Sequence, residues 1–410
     1  MESVNRTNGV PCTGCGICAA VCPRGAITME LNQAGFLHPV VREELCVRCG
    51  LCQGVCGRFS REDGGLTLYD GTLYALQTGN EDTLRYCSSG GIAHELALWT
   101  VENGGRAVGA VYDRETNTVR HEVVDCAEDI SRLDGSKYLQ SRTEDAFREV
   151  LRSRAGESWV VFGTPCQISA LAAAAEKAGI RDRLLLVEIF CHGVPSYRVW
   201  EESLKQVKKK LGTDRFDSVR FRYKKDDWHS YCLRVEGNGK IWYGRRETAL
   251  FWQVFFENVL LGDACQTCTA RKERTRGDLR LGDYWGGRFR DRTDGVSAVV
   301  ACTDRGRAAV ETLLKLGRVR DLGASDMQDM LRAQNMAGYA RDGLHEQAME
   351  VLKTGGVRAA VAYYRKRQTP KQKLRRAALR ASGILPDPLR AKLRKCYSAV
   401  VWRTGAKKEG

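Results

Sequence analysis

Eight cysteines in two runs carry the most specific chemistry in the chain. Cys12, Cys15, Cys18 and Cys22 follow the spacing C-x2-C-x2-C-x3-C, and Cys46, Cys49, Cys52 and Cys56 repeat it. Three thiolates spaced this way on one curling loop can each meet a different iron of a 4Fe–4S cubane. The fourth starts the next helix and faces the other cubane, so the ligands cross over. One cluster then takes Cys12, Cys15, Cys18 and Cys56, and the other takes Cys46, Cys49, Cys52 and Cys22. Pro23 follows the first run but Gly57 follows the second, which loosens that loop without removing a ligand. Two structural zinc sites are the rival reading, yet such sites pair two C-x2-C hooks rather than two four-cysteine runs.

Nine of the 17 cysteines remain (17 − 8 = 9), and four of them form a set. Cys166 and Cys191 each sit just past an apolar strand, and Cys265 and Cys268 form a C-x2-C hook. Four thiolates are the number a third 4Fe–4S site needs, with zinc as the alternative by spacing alone. Cys87, Cys126, Cys232, Cys302 and Cys396 have no such company and read as ordinary thiols, although Cys87 adjoins a Ser-Ser-Gly-Gly loop.

The elements that must hold these residues alternate between strand and helix. Residues 1–65 make a small two-cluster unit of ferredoxin type, held together by its metals. A polar, glycine-rich linker closes it over 58–65. Beyond it, a strand over 73–78 leads to Ser88-Ser89-Gly90-Gly91 and a helix over 92–102. A glycine-rich turn that opens a helix leaves free N–H groups suited to phosphate, though the same residues make a plain helix cap. Strands follow over 107–112 and 119–124, then the polar island Gly135-Ser136-Lys137-Tyr138, which taken alone reads as a solvated loop. Next come strands over 158–162 and 183–190, each running into a helix (168–177 and 197–211). Open α/β sheets place ligands at the carboxyl ends of such strands. Three strands over 219–223, 231–235 and 240–243, a helix over 249–261, a strand over 296–302 and a helix over 307–316 complete the body. The pattern is helical from Met330, with Pro370, Pro386 and Pro388 cutting it into short pieces. No repeat is present, and no Gly-x-Gly-x-x-Gly follows a strand, so a Rossmann NAD site has no support.

The net charge is +15, and residues 353–410 carry 17 Lys and Arg against Asp387 and Glu409, which is 17 − 2 = +15. The tail thus holds the whole excess, and the basic balance says nothing about the body. No signal segment or long apolar run is evident, so the chain is expected in the cytoplasm, where thiols bind metal instead of pairing.

Six motifs in order identify the family. Ser88-Ser89-Gly90-Gly91, Gly135-Ser136-Lys137-Tyr138, Gly163-Thr164-Pro165-Cys166-Gln167, Cys191-His192-Gly193, Cys265-x2-Cys268 and the stretch from Gly277 to Trp285 resemble the coenzyme F420 hydrogenase/dehydrogenase beta-subunit family, in the form that carries its own amino-terminal two-cluster domain. The resemblance covers about three quarters of the chain. It implies an α+β or α/β fold, in which the two-cluster domain precedes a mixed α/β flavin-binding body and a basic helical tail. The expected divisions are 1–65, 66–150, 151–330 and 331–410. The implied cofactors are FAD and a nearby third 4Fe–4S cluster on Cys166, Cys191, Cys265 and Cys268. Ser88, Ser89, Gly90 and Gly91 would cradle FAD phosphate or ribose. Ser136, Lys137 and Tyr138 would lie near its ring, with the Lys137 cation stabilising the reduced form. Thr164 and Asp283 would shape the pocket. His192 would donate to flavin or substrate, or make a structural hydrogen bond beside Cys191.

Such a protein couples one-electron carriers to hydride exchange. The implied partners are ferredoxin or another one-electron redox protein, and a small organic hydride donor or acceptor such as coenzyme F420. An electron-transfer subunit with no substrate of its own is the competing reading. A zinc-stabilised nucleic-acid binder, suggested by the tail, does not need two cubane runs. The tail reads as a solvated face, a dock for an acidic ferredoxin, or a peripheral membrane contact through Leu374, Leu379, Ile384, Leu385, Leu389 and Leu393. The α/β body is expected to carry its own core and to fold without residues 1–65.

Overall fold

The computed structural model describes residues 9–59, 65–225, 227–334 and 343–383, together with Val4, Tyr339, Leu385 and Leu389. Cys396, Pro386, Pro388, Ile384, Leu393 and most of the expected linker lie outside these residues.

One mixed sheet of nine strands organises the body. Its order is Val319–Asp321, Thr72–Thr78, Ser297–Ala301, Leu279–Asp283, Leu184–Ile189, Trp159–Gly163, Arg106–Asp113, Thr118–Val124, Ser141–Arg142. The central run from Leu279–Asp283 through Leu184–Ile189 and Trp159–Gly163 to Arg106–Asp113 is parallel, and the flanks are mainly antiparallel. Strands from both sides of position 150 share this sheet.

The central strands read as unbroken apolar runs because both faces are covered. Val160, Leu185 and Val187 pack with Leu96 and Val310 on one face, while Trp159, Val161, Leu184 and Leu186 pack with Phe147, Ile168 and Leu171 on the other. Helices Ile92–Glu102 and Asp304–Lys315 form the first outer layer, and Glu144–Leu151 and Pro165–Lys177 form the second. Helix Tyr197–Leu211 shows the local logic. Ser196 caps its start by accepting from Arg198 N at 3.1 Å, Gly212 ends it at φ 71, and Tyr197, Trp200, Leu204, Val207 and Leu211 bury one face.

The structure refines the sequence reading at three places. The helix expected to Leu261 ends at Glu257, because Asn258 turns into the left-handed region at φ 61. Pro370 separates Leu344–Arg367 from the next helix as expected, and it does so by opening Pro370–Ser382 behind the Thr369 cap, where its missing N–H costs nothing. Leu279–Asp283 forms a strand that periodicity does not reveal, because Arg280 is buried in it.

The amino-terminal unit holds two short helices, Ile17–Ala20 and Leu51–Gly54, and an antiparallel hairpin of Ile27–Leu31 with Leu37–Val41. It has a small core of its own, in which Ile27, Met29, Leu37 and Val41 pack with Cys18, Ala19 and Cys52, and it also shares the core of the body. Ile17 is fully buried among Phe147, Ile168 and Val108, and Ala34 and Phe36 join Trp200 and Leu261 in another cluster. Gln140 ties the two parts by accepting from Leu37 N at 2.8 Å and donating to Thr13 O at 3.1 Å. Gly16 is required at this seam, since a Cβ there would stand 2.3 Å from Thr143 Oγ1.

In the carboxyl-terminal region, Leu344–Arg367 bends at Gly356 and packs on helix Tyr197–Leu211, while Pro370–Ser382 buries no residue. Among the described residues no helix is long and apolar enough to cross a membrane.

Candidate functional site

The carboxyl ends of Trp159–Gly163, Leu184–Ile189 and Leu279–Asp283 open on a cavity of about 710 Å³. Ser88, Ser89, Gly91, Ser136, Lys137, Tyr138, Thr164, Cys191, His192 and Asp283 all line it. Gly90 does not. Its N–H donates to Ser297 Oγ at 3.0 Å, and a Cβ there would stand 2.3 Å from Leu76 O, so this glycine serves contact with the sheet.

Two loops form one wall and are latched together: Ser88 Oγ accepts from Ser136 N at 2.8 Å. Ser89 Oγ donates to Val296 O at 2.8 Å. Gly91, at φ 85, opens helix Ile92–Glu102 with no side-chain cap. Its free N–H groups lie at the cavity edge, the arrangement that receives a phosphate. The Lys137 ammonium donates to the carbonyls of Arg132 at 3.3 Å and of Leu133 and Asp134 at 2.9 Å. All three of its protons are thereby occupied, and what Lys137 offers the cavity is charge. Burial pushes its pKa down to about 8.

Asp283 is held by a residue that the sequence did not disclose. Arg222 Nη1 donates to Asp283 Oδ2 at 2.9 Å and to Tyr138 Oη at 3.1 Å, and Nη2 donates to Trp228 O at 2.7 Å. Burial opposes the Arg222 charge, but Asp283, with Tyr138 and Tyr231, raises its pKa and keeps it ionised. Its guanidinium lies 4.3 Å from the Tyr231 ring centroid, and Trp285 stacks on Trp228 at 5.2 Å. Tyr231, Trp285, Phe255 and Phe256 make the aromatic wall.

His192 Nε2 donates to Asn258 Oδ1 at 2.6 Å, and burial lowers its pKa. The early end of the preceding helix is what brings Asn258 there. His121, also missed, lies across the cavity. Burial drives its pKa down to about 4, so the ring is neutral and donates through Nε2 to Phe162 O at 2.9 Å. That leaves Nδ1 as an acceptor. His121 Nδ1, Asp227 Oδ1 and Asp283 Oδ1 are buried lining atoms with no hydrogen-bond partner among the described residues. A polar occupant would satisfy such atoms. The capless helix start, the aromatic wall, the buried acceptors and the volume all fit FAD.

The cysteines gather in three groups. Cys12, Cys15, Cys18 and Cys56 act on one another: burial, then Cys56 and Cys12, pushes Cys15 up to about 12, and Cys18 is raised by burial and by the same neighbours. Cys22, Cys46, Cys49 and Cys52 line a second, small pocket at the surface. Cys49 is exposed there, beside Val47 at 61% and Leu51 at 52%. Cys166, Cys191, Cys265 and Cys268 form the third group. Cys166 is raised by burial, Cys268, Cys15 and Cys191, and Cys265 is pushed up to about 12 by burial and then Cys191 and Cys268. Cys15 is thus a neighbour of Cys166 across the seam, while Cys191 borders the cavity. Buried thiols of this kind lose their protons when a metal supplies the balancing charge.

Residues 156–321 match the model for the carboxyl-terminal part of the coenzyme F420 hydrogenase/dehydrogenase beta-subunit family. Residues 11–58 match the model of the 4Fe-4S dicluster domain. Among solved structures, the chain is similar to a chain of the xenon-derivatised F420-reducing NiFe hydrogenase complex from Methanosarcina barkeri. Identity is 16%, 73% of this chain and 91% of that chain are covered, and the TM-score is 0.45. No curated protein matches.

Proposed function

We propose that this chain, which belongs to the coenzyme F420 hydrogenase/dehydrogenase beta-subunit family and carries its own 4Fe–4S dicluster domain, is a flavin-dependent oxidoreductase. It passes electrons between a one-electron redox protein and a hydride-exchanging substrate. The observation that carries this reading is the continuity of the thiol groups. The set at Cys49 meets solvent, Cys15 of the next set neighbours Cys166, and Cys191 of the third set borders the cavity. An electron donor such as ferredoxin would dock at Val47 and Leu51.

FAD, when bound, supplies the exchange between single electrons and hydride. The chain's own residues do the rest. Ser88, Ser89 and Gly91 would hold the phosphates, and Ser136 fixes their loop through Ser88. Arg222 holds Asp283 and Tyr138 in place, and Thr164 lies beside Cys166. Tyr231, Trp285, Phe255 and Phe256 exclude water. Lys137 would set a positive charge at the cavity, which favours the reduced, more negative state of a bound flavin. Coenzyme F420 is one substrate of the required class.

The test is content and potential together. Anaerobically purified protein should hold about twelve irons and twelve sulfides, with one noncovalent FAD released by acid. Lys137→Ala should retain FAD but lower its two-electron midpoint by about 30 mV or more, the equivalent of a tenfold loss of reduced-state stability. Lys137 is charged below its pKa of about 8 and neutral above it. The gap between wild type and variant should therefore close as pH rises past that value. Eight irons would remove the third cluster, and FMN or no flavin in cluster-loaded protein would remove the FAD assignment.

A further inference from the structure

One group of side chains at the cavity edge has no part in the redox reading. Cys87 follows helix Glu81–Tyr86, His94 lies in the first turn of Ile92–Glu102, and Asp134 follows the turn Ala127–Leu133. A sulfur, a ring nitrogen and a carboxylate oxygen from these three residues lie within 4.8 Å of one another, the only such group of His, Cys, Asp and Glu among the described residues. His94 Nδ1 stands 2.9 Å from Asp134 Oδ1 and 3.1 Å from Oδ2. Cys87 is buried, and all three residues line the cavity.

A hydrogen-bonded pair of His94 and Asp134 would be stable without a third member, and an ionised Cys87 beside Asp134 is repelled by it. Burial and the Asp134 charge accordingly raise the Cys87 pKa. As a thiol, Cys87 hydrogen-bonds Asp134; a divalent cation that displaced its proton would balance the resulting thiolate and the carboxylate, which sum to −2. The centre would then be neutral. Neutrality matters here, since Lys137 and Lys224 stand nearby with their ammonium groups on backbone carbonyls. One sulfur, one nitrogen and one oxygen suit a borderline-soft ion, and donor atoms about 3.3–3.8 Å apart surround tetrahedral zinc. The His94–Asp134 pair, at 2.9 Å, would open by a few tenths of an ångström to admit the ion, while the Cys87 sulfur already lies within 4.8 Å of both. Three protein ligands leave the fourth position open, as in sites where the ion acts on a ligand.

We propose that Cys87, His94 and Asp134 bind one divalent metal ion of the zinc class, with the fourth coordination position facing the cavity. That position takes water or an anionic or carbonyl oxygen of the cavity's occupant. The proposal does not depend on the flavin, and its ligands are separate from the twelve cluster thiols.

The experiment uses full-length, cluster-loaded protein, dialysed anaerobically against buffered zinc, with zinc and iron measured together and the zinc environment read by X-ray absorption. The expected result is one zinc per chain, with one sulfur at about 2.3 Å and nitrogen or oxygen neighbours at about 2.0–2.2 Å. His94→Ala and Asp134→Asn should each lower zinc retention at least tenfold at unchanged iron. No retained zinc would reduce the trio to a hydrogen-bonded cluster and overturn the proposal. So would zinc with four sulfur neighbours, or zinc retained equally by both variants. The absorption measurement on wild type decides the matter even if a variant fails to fold.

Discussion

Deleting residues 1–65 should leave no soluble, folded body. The two-cluster unit completes the body's interior instead of hanging from it. Ile17 fills a cluster with Phe147, Val161 and Ile168, and Phe36 fills another with Trp200, Val259 and Leu261. Removing a buried Ile or Phe side chain alone costs about 2–5 kcal/mol, and the deletion removes both with their neighbours. It also strips the partners from Gln140, from Thr143, which donates to Cys15 O at 2.6 Å, and from Ser196, which donates to Ala34 O at 2.5 Å. A whole domain has about 5–15 kcal/mol of stability to lose. Size-exclusion chromatography and near-ultraviolet circular dichroism should show aggregate or a molten state. A monodisperse fragment with cooperative unfolding and bound FAD would refute this and restore the picture of independent units.

Arg280→Ala should be the most damaging single change outside the cysteines. Arg280 and Glu188 are a salt bridge with 0% and 1% side-chain exposure. Arg280 Nε donates to Glu188 Oε2 at 2.8 Å. Nη2 also donates to Glu188 Oε2, and the guanidinium further reaches the carbonyls of Ala270 at 3.2 Å, of Lys272, and of Arg274 at 2.8 Å, in the loop that follows Cys268. Glu188 lies three residues before Cys191, so one ion pair holds both halves of the third thiol set. Removing the arginine leaves a buried, unpaired carboxylate, a loss of about 3–5 kcal/mol. It should lower the iron content from about twelve to about eight per chain, as Cys265 and Cys268 drift from Cys166 and Cys191. Burial already raises the Glu188 pKa against the opposing pull of Arg280. In the variant that rise is larger, so folding favours the protonated form. The variant's stability is then present at low pH and lost as pH rises through the folded pKa. Its melting-temperature deficit should therefore be smaller near pH 5 than at pH 8. Wild-type iron and an unchanged melting temperature would show that the loop is held by other means.

Features encoded over a few residues were legible in the sequence. Each cysteine run fixes its own loop, and a strand that ends in Cys166 or Cys191 announces a site at its carboxyl end. Helix Tyr197–Leu211 was readable to the residue because a cap, an apolar stripe and a glycine stop all agree. What was not legible depends on partners far along the chain. Arg222 gains its role from Asp283, 61 positions away. His121 reads as one polar residue in a strand until Phe162 O fixes its tautomer. Lys137 invited a role as a free cation, but three carbonyls within five residues take its protons. The two-cluster unit looked autonomous because its ligand spacing is local; its small core around Ile27, Met29, Leu37 and Val41 is supplemented by Ile17, Ala34 and Phe36, which pack into the body's clusters.

If one continuous route joins the surface cluster to a substrate at the cavity, electron exchange should be measurable at both of its ends. Holo full-length protein should be reduced anaerobically by a ferredoxin and should then pass hydride to oxidised coenzyme F420 or to a member of a panel of unsaturated and carbonyl compounds. Flavin and cluster absorbance should recover together as the acceptor is consumed. Electron exchange with redox proteins alone, with every small acceptor left unchanged, would make the chain a relay without a substrate of its own.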